Sequence, residues 1–263
     1  MSPLTLTTDF GERDGYGGIL KGVIAQINPQ IPVIDLTHTI PPQNIAAGRF
    51  CLMNAYPYFP TGTVHLAVVD PGVGSHRRAI AVQLAEGYFV GPDNGLISGI
   101  LSLSPAIHAV VLTNKNYWRV PQPSTTFHGR DIFAPVAAHL ASGVPLANFG
   151  DSISIESLVS LPLPRLTQTP EAIAGCIQYI DVFGNLITNI PQQALLEKSQ
   201  KIQFIHLGNH QIPWGQTYSD APFGEAIALI GSHGWLEIAV NGGNAQQQLA
   251  VALGDSVQIN PLF

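Results

Sequence analysis

Along the first 160 residues the hydrophobic positions switch between two periods. Leu4 to Thr8 is a short apolar and β-branched run that stops at Asp9, as a strand would. From Gly15 to Ile27 the apolar residues Ile19, Leu20, Val23, Ile24 and Ile27 fall at helical spacing, and Asn28-Pro29 ends the segment. Pro32 to Leu36 predicts a strand, and Ile45 to Tyr56 a helix closed by Pro57. Val64 to Val69 is an apolar run of the kind expected for a strand buried on both faces. Ala79 to Leu84 and Tyr88 to Val90 predict a pair of strands, Asn94 to Leu103 a helix, Ile107 to Leu112 a strand and Asp131 to Ala141 a helix. Strands alternating with helices predict an α/β domain, a mostly parallel sheet with helices on both faces.

The texture changes at Leu161. Pro162, Pro164 and Pro170 with two threonines read as a linker over residues 161–170, dividing an N-terminal domain, 1–160, from a C-terminal domain, 171–263. Short apolar runs follow: Ala172–Ile180, Leu186–Ile190, Ile202–Leu207, Ala226–Ile230, Leu236–Val240, Leu249–Leu253 and Val257–Ile259. Gly, Asn and Pro separate them, which predicts a smaller all-β, barrel-like domain.

Composition narrows the partners. Charged residues make up only 11% of the chain, well under the usual quarter, so part of the surface is expected to be covered by other subunits. The net charge is −6 and no run of Lys and Arg occurs, which disfavours nucleic acid. No apolar stretch is long enough to span a membrane. Cys51 and Cys176 lie far apart and form neither a disulfide framework nor a zinc spacing. They read as reduced buried thiols. With an N-terminus that begins directly as a strand, they point to the cytoplasm.

Candidate chemistry gathers at predicted strand ends, where ligands of open α/β sheets collect. Thr8-Asp9-Phe10-Gly11, followed by Asp14, offers a carboxylate that can accept from a vicinal diol, although by itself an Asp here more often caps the next helix. Asp70-Pro71-Gly72-Val73-Gly74 follows the buried strand and leads to Arg77 and Arg78; the same residues could make a plain turn. Thr126-Phe127-His128-Gly129-Arg130-Asp131 opens a helix, with Asp131 a possible N-cap. In the second domain Asp181-Val182-Phe183-Gly184-Asn185, Gly231-Ser232-His233-Gly234 and Asn241-Gly242-Gly243-Asn244 are turns whose amides suit a base such as adenine. Neither a dinucleotide fingerprint nor a phosphate loop is present, so a nucleoside without phosphates is compatible with the chain and a dinucleotide is disfavoured.

Taken in order, Thr-Asp-Phe-Gly, Asp-Pro-Gly-Val-Gly, Phe-His-Gly-Arg-Asp, Asp-x-Phe-Gly-Asn-x-x-Thr-Asn and Ser-x-Gly-x-Leu-Glu-Ile-Ala-x-Asn-Gly-Gly-Asn-Ala resemble the S-adenosyl-L-methionine (SAM) hydroxide adenosyltransferase family. That family is related to the fluorinases and chlorinases, and the resemblance runs from Leu4 to Asp255. It implies SAM as the small-molecule substrate and a homotrimer with active sites between the N-domain of one subunit and the C-domain of the next. It implies no cofactor and no metal.

Residue by residue, the resemblance implies that Asp9, with Asp14 nearby, holds the ribose hydroxyls. Asp181 and Ser232 match positions that hold the methionine amine and carboxylate, and His233 stands where halogenating relatives have an arginine. Asn185 and the backbone of Asn241 and Gly242 match adenine contacts, with Tyr218 or Phe223 supplying a ring; Phe127 joins the substrate-binding set. The hydrolytic Asp, Arg and His fall on Asp70, Arg77 and His128. Halogenating relatives carry a tyrosine at the position of Asp70 and a small hydroxyl residue at Val73. A carboxylate at Asp70 would repel a halide yet can orient water.

The expected reaction is attack of an activated water on the ribose 5′-carbon, giving adenosine and L-methionine. Neutral water is a weak nucleophile, with a bulk pKa of about 15.7. Arg77 would stabilise developing negative charge. A carboxylate with an ordinary pKa of about 3.9 is a poor base for water, so Asp70 is expected to orient Arg77 and the water, with His128 moving the proton. The rivals are a SAM-dependent halogenase, a metal-dependent hydrolase built on Asp9, Asp70, Asp93 and His128, and a non-catalytic protein that binds adenosine or SAM.

Overall fold

Leucines and threonines alternate in the first strand, and that alternation places the first core. In a computed structural model, which describes residues 2–162, 164–169, 172–196 and 202–260, β1 (Leu4–Thr8) is buried along its whole length. Leu4 and Leu6 point to one face and Thr5 and Thr7 to the other. Its parallel neighbours are β2 (Val33–Thr37) and β3 (Thr63–Val68). β4 (Ala79–Leu84) and β5 (Gly87–Pro92) form the expected pair as an antiparallel hairpin, and β6 (Ala106–Val111) and β7 (Ser152–Ile153) complete the sheet. The order is β2-β1-β3-β5-β4-β6-β7. It is parallel through β5 and antiparallel beyond, because a two-residue connection between β4 and β5 allows only an antiparallel return.

Helices cover both faces. On the leucine side, α1 (Tyr16–Ile27) packs Leu20, Val23 and Ile24 against Leu4, Leu6, Leu66 and Val68. On the other side, α2 (Ile45–Ala55) leads into Tyr56, whose ring lies 5.1 Å from that of His65 on β3. The expected helix over 94–103 is only one turn, α3 (Ser98–Leu101). The helix expected from Asp131 begins as a π-helical turn, Gly129–Phe133, before α4 (Ala134–Ala141).

The chain divides into two units, Met1–Leu161 and Pro162–Phe263. In the second, β8 (Thr167–Gln168) falls inside the expected linker and pairs with β9 (Ile173–Ile180). Pro170 of that linker lies outside the described residues, as do Met1 and Phe263. The remaining strands are β10 (Leu186–Pro191), β11 (Phe204–Leu207), β12 (His210–Pro213), β13 (Ala226–Ile230), β14 (Trp235–Val240) and β15 (Ser256–Ile259). All pair antiparallel in the order β12-β11-β15-β9-β10-β14-β13, and a bridge from Trp214 to Ala228 brings the two edges together into a nearly closed barrel. Ile173, Ile177, Ile205, Leu236 and Ile238 fill it.

Leu249–Leu253 is not a strand. Asn244 accepts from Gln247 N–H at 2.8 Å and caps α5 (Ala245–Leu249), so local capping outweighs a short apolar run. Cys176 is buried, Cys51 is partly buried, and both thiols are free. No helix among the described residues is long and apolar enough to cross a membrane.

Candidate active site

β1 and β3 run side by side with Thr8 opposite Val68, so Asp9 and Asp70 leave the sheet at the same carboxyl edge. A cavity of about 280 Å³ opens there. Asp9, Phe10 and Gln43 line one part of it, and Asp70, Phe127 and His128 another. Asp14 is exposed and outside this lining.

Arg77 and Arg78 enter β4 side by side, and alternation sends them apart. Arg77 Nε donates to the Asp70 carboxylate at 2.9 and 3.0 Å, and its Nη2 also reaches Asp70 Oδ2. Arg78 Nε instead donates to Asp93 Oδ2 at 2.8 Å. The same Nη2 of Arg77 lies 2.9 Å from His128 Nδ1. Because a guanidinium only donates, Nδ1 is the acceptor, and the neutral ring carries its hydrogen on Nε2. Burial pushes the His128 pKa below the ordinary 6.5; Arg77 pushes it the same way, partly opposed by Asp70 and Asp131.

The loop that carries His128 is tied down by Asp131. Its buried carboxylate accepts from Arg119 Nε at 2.7 Å, Arg130 Nη2 at 2.7 Å and Ser124 N–H at 2.9 Å. These donors hold Asp131 far below the usual carboxylate range against the opposing effect of burial. The Asp70 loop leans on the same loop at Gly74, where φ is 76° and a side chain would collide with the Thr125 carbonyl.

Two features had no clear signature in the sequence. Gln43 takes a positive φ of 65° and donates its backbone N–H to Asp9 Oδ2 at 2.8 Å. Strain of this kind in a residue with a side chain persists where the surroundings enforce it, commonly at ligand sites. The other is Asp131 itself, which reads as a helix cap and is an ion-pair hub.

The metal set weighed from the sequence does not converge. Asp70 and Asp93 pair with different arginines, and among the described residues no three His, Cys, Asp or Glu stand close enough to share an ion.

In the C-terminal unit Asp181 accepts from the backbone N–H groups of Phe183 and Asn185, each at 2.9 Å, and from Asn185 Nδ2 at 3.1 Å. Val182 and Phe183 project from this turn 90% and 70% exposed. Ser232 is exposed on its own turn. His233 and Tyr218 both meet Glu237, a residue the sequence reading did not single out although it is a lone carboxylate in an apolar strand. Asn241 uses its backbone N–H toward Glu225 at 3.0 Å and its carbonyl toward Gly224 at 2.8 Å. That leaves the Gly242 edge, with the Phe223 ring packed against it, as the open part of the turn.

The profile of the SAM hydroxide adenosyltransferase N-terminal domain matches residues 4–150, and that of the C-terminal domain matches residues 175–258. The chain belongs to the SAM hydroxide adenosyltransferase family. One member, an (R)-S-adenosyl-L-methionine hydrolase from Salinispora tropica, is 39% identical over 97% of both chains. A fluorinase from Actinopolyspora mzabensis is 26% identical over 97% of this chain and 96% of its own. The crystal structure of a protein from Thermotoga maritima superposes with a TM-score of 0.91 at 37% identity, covering 98% of this chain and 99% of that one.

Proposed function

We propose that this chain is an enzyme that hydrolyses S-adenosyl-L-methionine, placing water on the ribose 5′-carbon and releasing adenosine and L-methionine. The observation that carries the reading is the Asp70–Arg77–His128 chain of hydrogen bonds at the cavity edge. The overall change is sulfonium plus water to adenosine, methionine and one proton. The carbon–sulfur pair leaves with methionine, so the site need only prepare and place the nucleophile. Holding reactants in line can supply roughly 7–11 kcal/mol in the best intramolecular cases.

The three side chains divide the work. Arg77 supplies fixed positive charge beside the water, where developing negative charge is stabilised. It also holds His128 with Nε2–H outward as a donor to the water oxygen. With Nδ1 engaged by Arg77, the imidazole has no open lone pair, so the proton passes to Asp70 rather than to His128. Water becomes strongly acidic as its bond to carbon forms, which lets a carboxylate accept that proton. Asp9, steadied by Gln43, faces the ribose diol, with Asp14 at the rim and Phe127 on the cavity wall. Asp181 and Ser232 take the amino-acid end, His233 standing beside them. Asn185, Gly242 and the Tyr218 or Phe223 ring take the adenine, with Asn241 bracing that turn.

The assembly is a homotrimer in this reading, the N-terminal domain of one subunit facing the C-terminal domain of the next. In support, Val182, Phe183 and Phe223 are 90%, 70% and 83% exposed in the single chain, and charge is sparse. We assign it to the cytoplasm, in keeping with its free thiols.

A halogenase has one specific observation against it: Asp70 puts a carboxylate on the cavity wall, which repels halide. Incubation with SAM in chloride-free and chloride-containing buffer, followed by chromatography, tests the reading. Adenosine and methionine in both buffers support it; 5′-chloro-5′-deoxyadenosine, or tight binding without turnover, overturns it.

A further inference from the structure

Glu237 is the carboxylate in the apolar run of β14, flanked by Leu236 and Ile238 and only 3% exposed. The proposed reaction does not use it. Its two oxygens accept from different partners. The Tyr218 hydroxyl donates to Oε1 at 2.8 Å, and His233 Nε2 lies 3.0 Å from Oε2. His233 Nδ1 in turn accepts from the backbone N–H of Trp235 at 3.1 Å. A ring that accepts at Nδ1 carries its hydrogen at Nε2, so the Nε2–H is directed at Glu237. Both imidazole nitrogens are thereby committed inside the domain.

The approach is close enough to dictate its neighbour. A side chain at residue 231 would start 2.5 Å from His233 Cε1 and would also strike Glu237, so that position is glycine. Burying a carboxylate is costly unless it is fully hydrogen-bonded. A leucine of similar volume would avoid that cost if the position served packing alone. Tyr218 responds to its surroundings: burial, the Glu237 hydrogen bond and the nearby Asp181 charge push its phenol up to about 12.

We infer that Glu237 is a positioning residue for substrate binding, which holds Tyr218 and His233 in fixed poses from inside the C-terminal domain. The inference rests on the SAM reading above, because it takes the Ser232–His233 turn as the seat of the amino-acid end and Tyr218 as a wall for the base. His233 then acts as a spacer between Glu237 and the turn, with no ring N–H left to donate to a ligand.

The test is steady-state kinetics and calorimetric SAM binding on full-length Glu237→Leu and Glu237→Gln, with Tyr218→Phe as a second cut through the same link. Glu237→Leu should raise KM and Kd for SAM about tenfold, as loss of a hydrogen bond to a charged group does, with kcat changed less than about threefold. Glu237→Gln can accept from His233 and donate to Tyr218, so it should return KM to within about threefold of the native value. Tyr218→Phe should raise KM about threefold with kcat intact, and it stands in if Glu237→Leu fails to fold. The ultraviolet titration of Tyr218, taken as native minus Tyr218→Phe, should fall from about 12 toward the ordinary 10 in Glu237→Gln. Unchanged KM in both Glu237→Leu and Tyr218→Phe, or lost kcat at unchanged KM, overturns the inference. Native protein that binds SAM without turnover would sink the hydrolase reading alone, leaving the affinity and titration results to judge Glu237.

Discussion

Arg77 Nη2 lies 2.9 Å from His128 Nδ1, and this contact sets which nitrogen of His128 faces outward. The same guanidinium is bound to Asp70, so one arginine orients both groups that the proposed mechanism sets against the water. His128 is therefore a donor held by a cation, with its pKa pushed down by burial and by that cation.

A pH profile should show this. With its pKa below 6.5, His128 stays neutral into mildly acidic solution, so the acid limb of kcat/KM should lie below 6.5. The stability sign follows: the unfolded chain takes up the proton first, so the contribution of His128 to stability falls as pH drops below 6.5. In Arg77→Ala the imidazole resonance followed by NMR should titrate higher than in the native protein. No upward movement would mean that Arg77 does not act on the ring.

Asp70→Asn should lower kcat about a hundredfold and Arg77→Ala about a thousandfold, with KM for SAM changed less than about threefold. The pair should be far from additive, since both changes break one unit. Rates measured by adenosine release check this. Native rates in both variants would remove the three-residue assignment.

Asp131→Asn should destabilise the N-terminal domain by about 3 kcal/mol in urea unfolding, because it leaves Arg119 and Arg130 without their shared, buried anion. Asp131 is held far below the usual carboxylate range, so its stabilisation is full at neutral pH and is lost as the solution is acidified past that range. The variant should therefore lose less stability than the native chain on acidification. Equal acid sensitivity would contradict the role given to this residue.

Gly74→Ala should cost about 2 kcal/mol through its positive φ of 76° and a collision with the Thr125 carbonyl. Because that carbonyl precedes His128 by three residues, adenosine release should fall along with stability. A variant as stable and as active as the native chain would show that the two loops are not braced against each other.

Much of this was legible in the chain because each signal was local. The short apolar and β-branched run of β1 and the helical spacing of α1 predicted both elements, and the strand ends predicted where Asp9 and Asp70 emerge. What was not legible depended on distance or competition. The resemblance already set Arg77 beside Asp70, but the pairing of its neighbour Arg78 with Asp93 is a contact across the fold that the sequence does not display. Polar His210 and Gln211 hid β12, whose register with β11 is set across the sheet. Asn241-Gly-Gly-Asn244 reads as a turn, but its last residue also caps α5. Gln43 acts through one hydrogen bond to Asp9, and Glu237 through one each to Tyr218 and His233, contacts that no spacing foretells.

The most direct measurement follows the oxygen. Turnover of SAM in heavy-oxygen water, with mass analysis of the products, should place one heavy oxygen on the 5′-hydroxyl of adenosine and none on methionine. Adenosine without the label, or a 5′-halogenated nucleoside in its place, would contradict attack by water at that carbon.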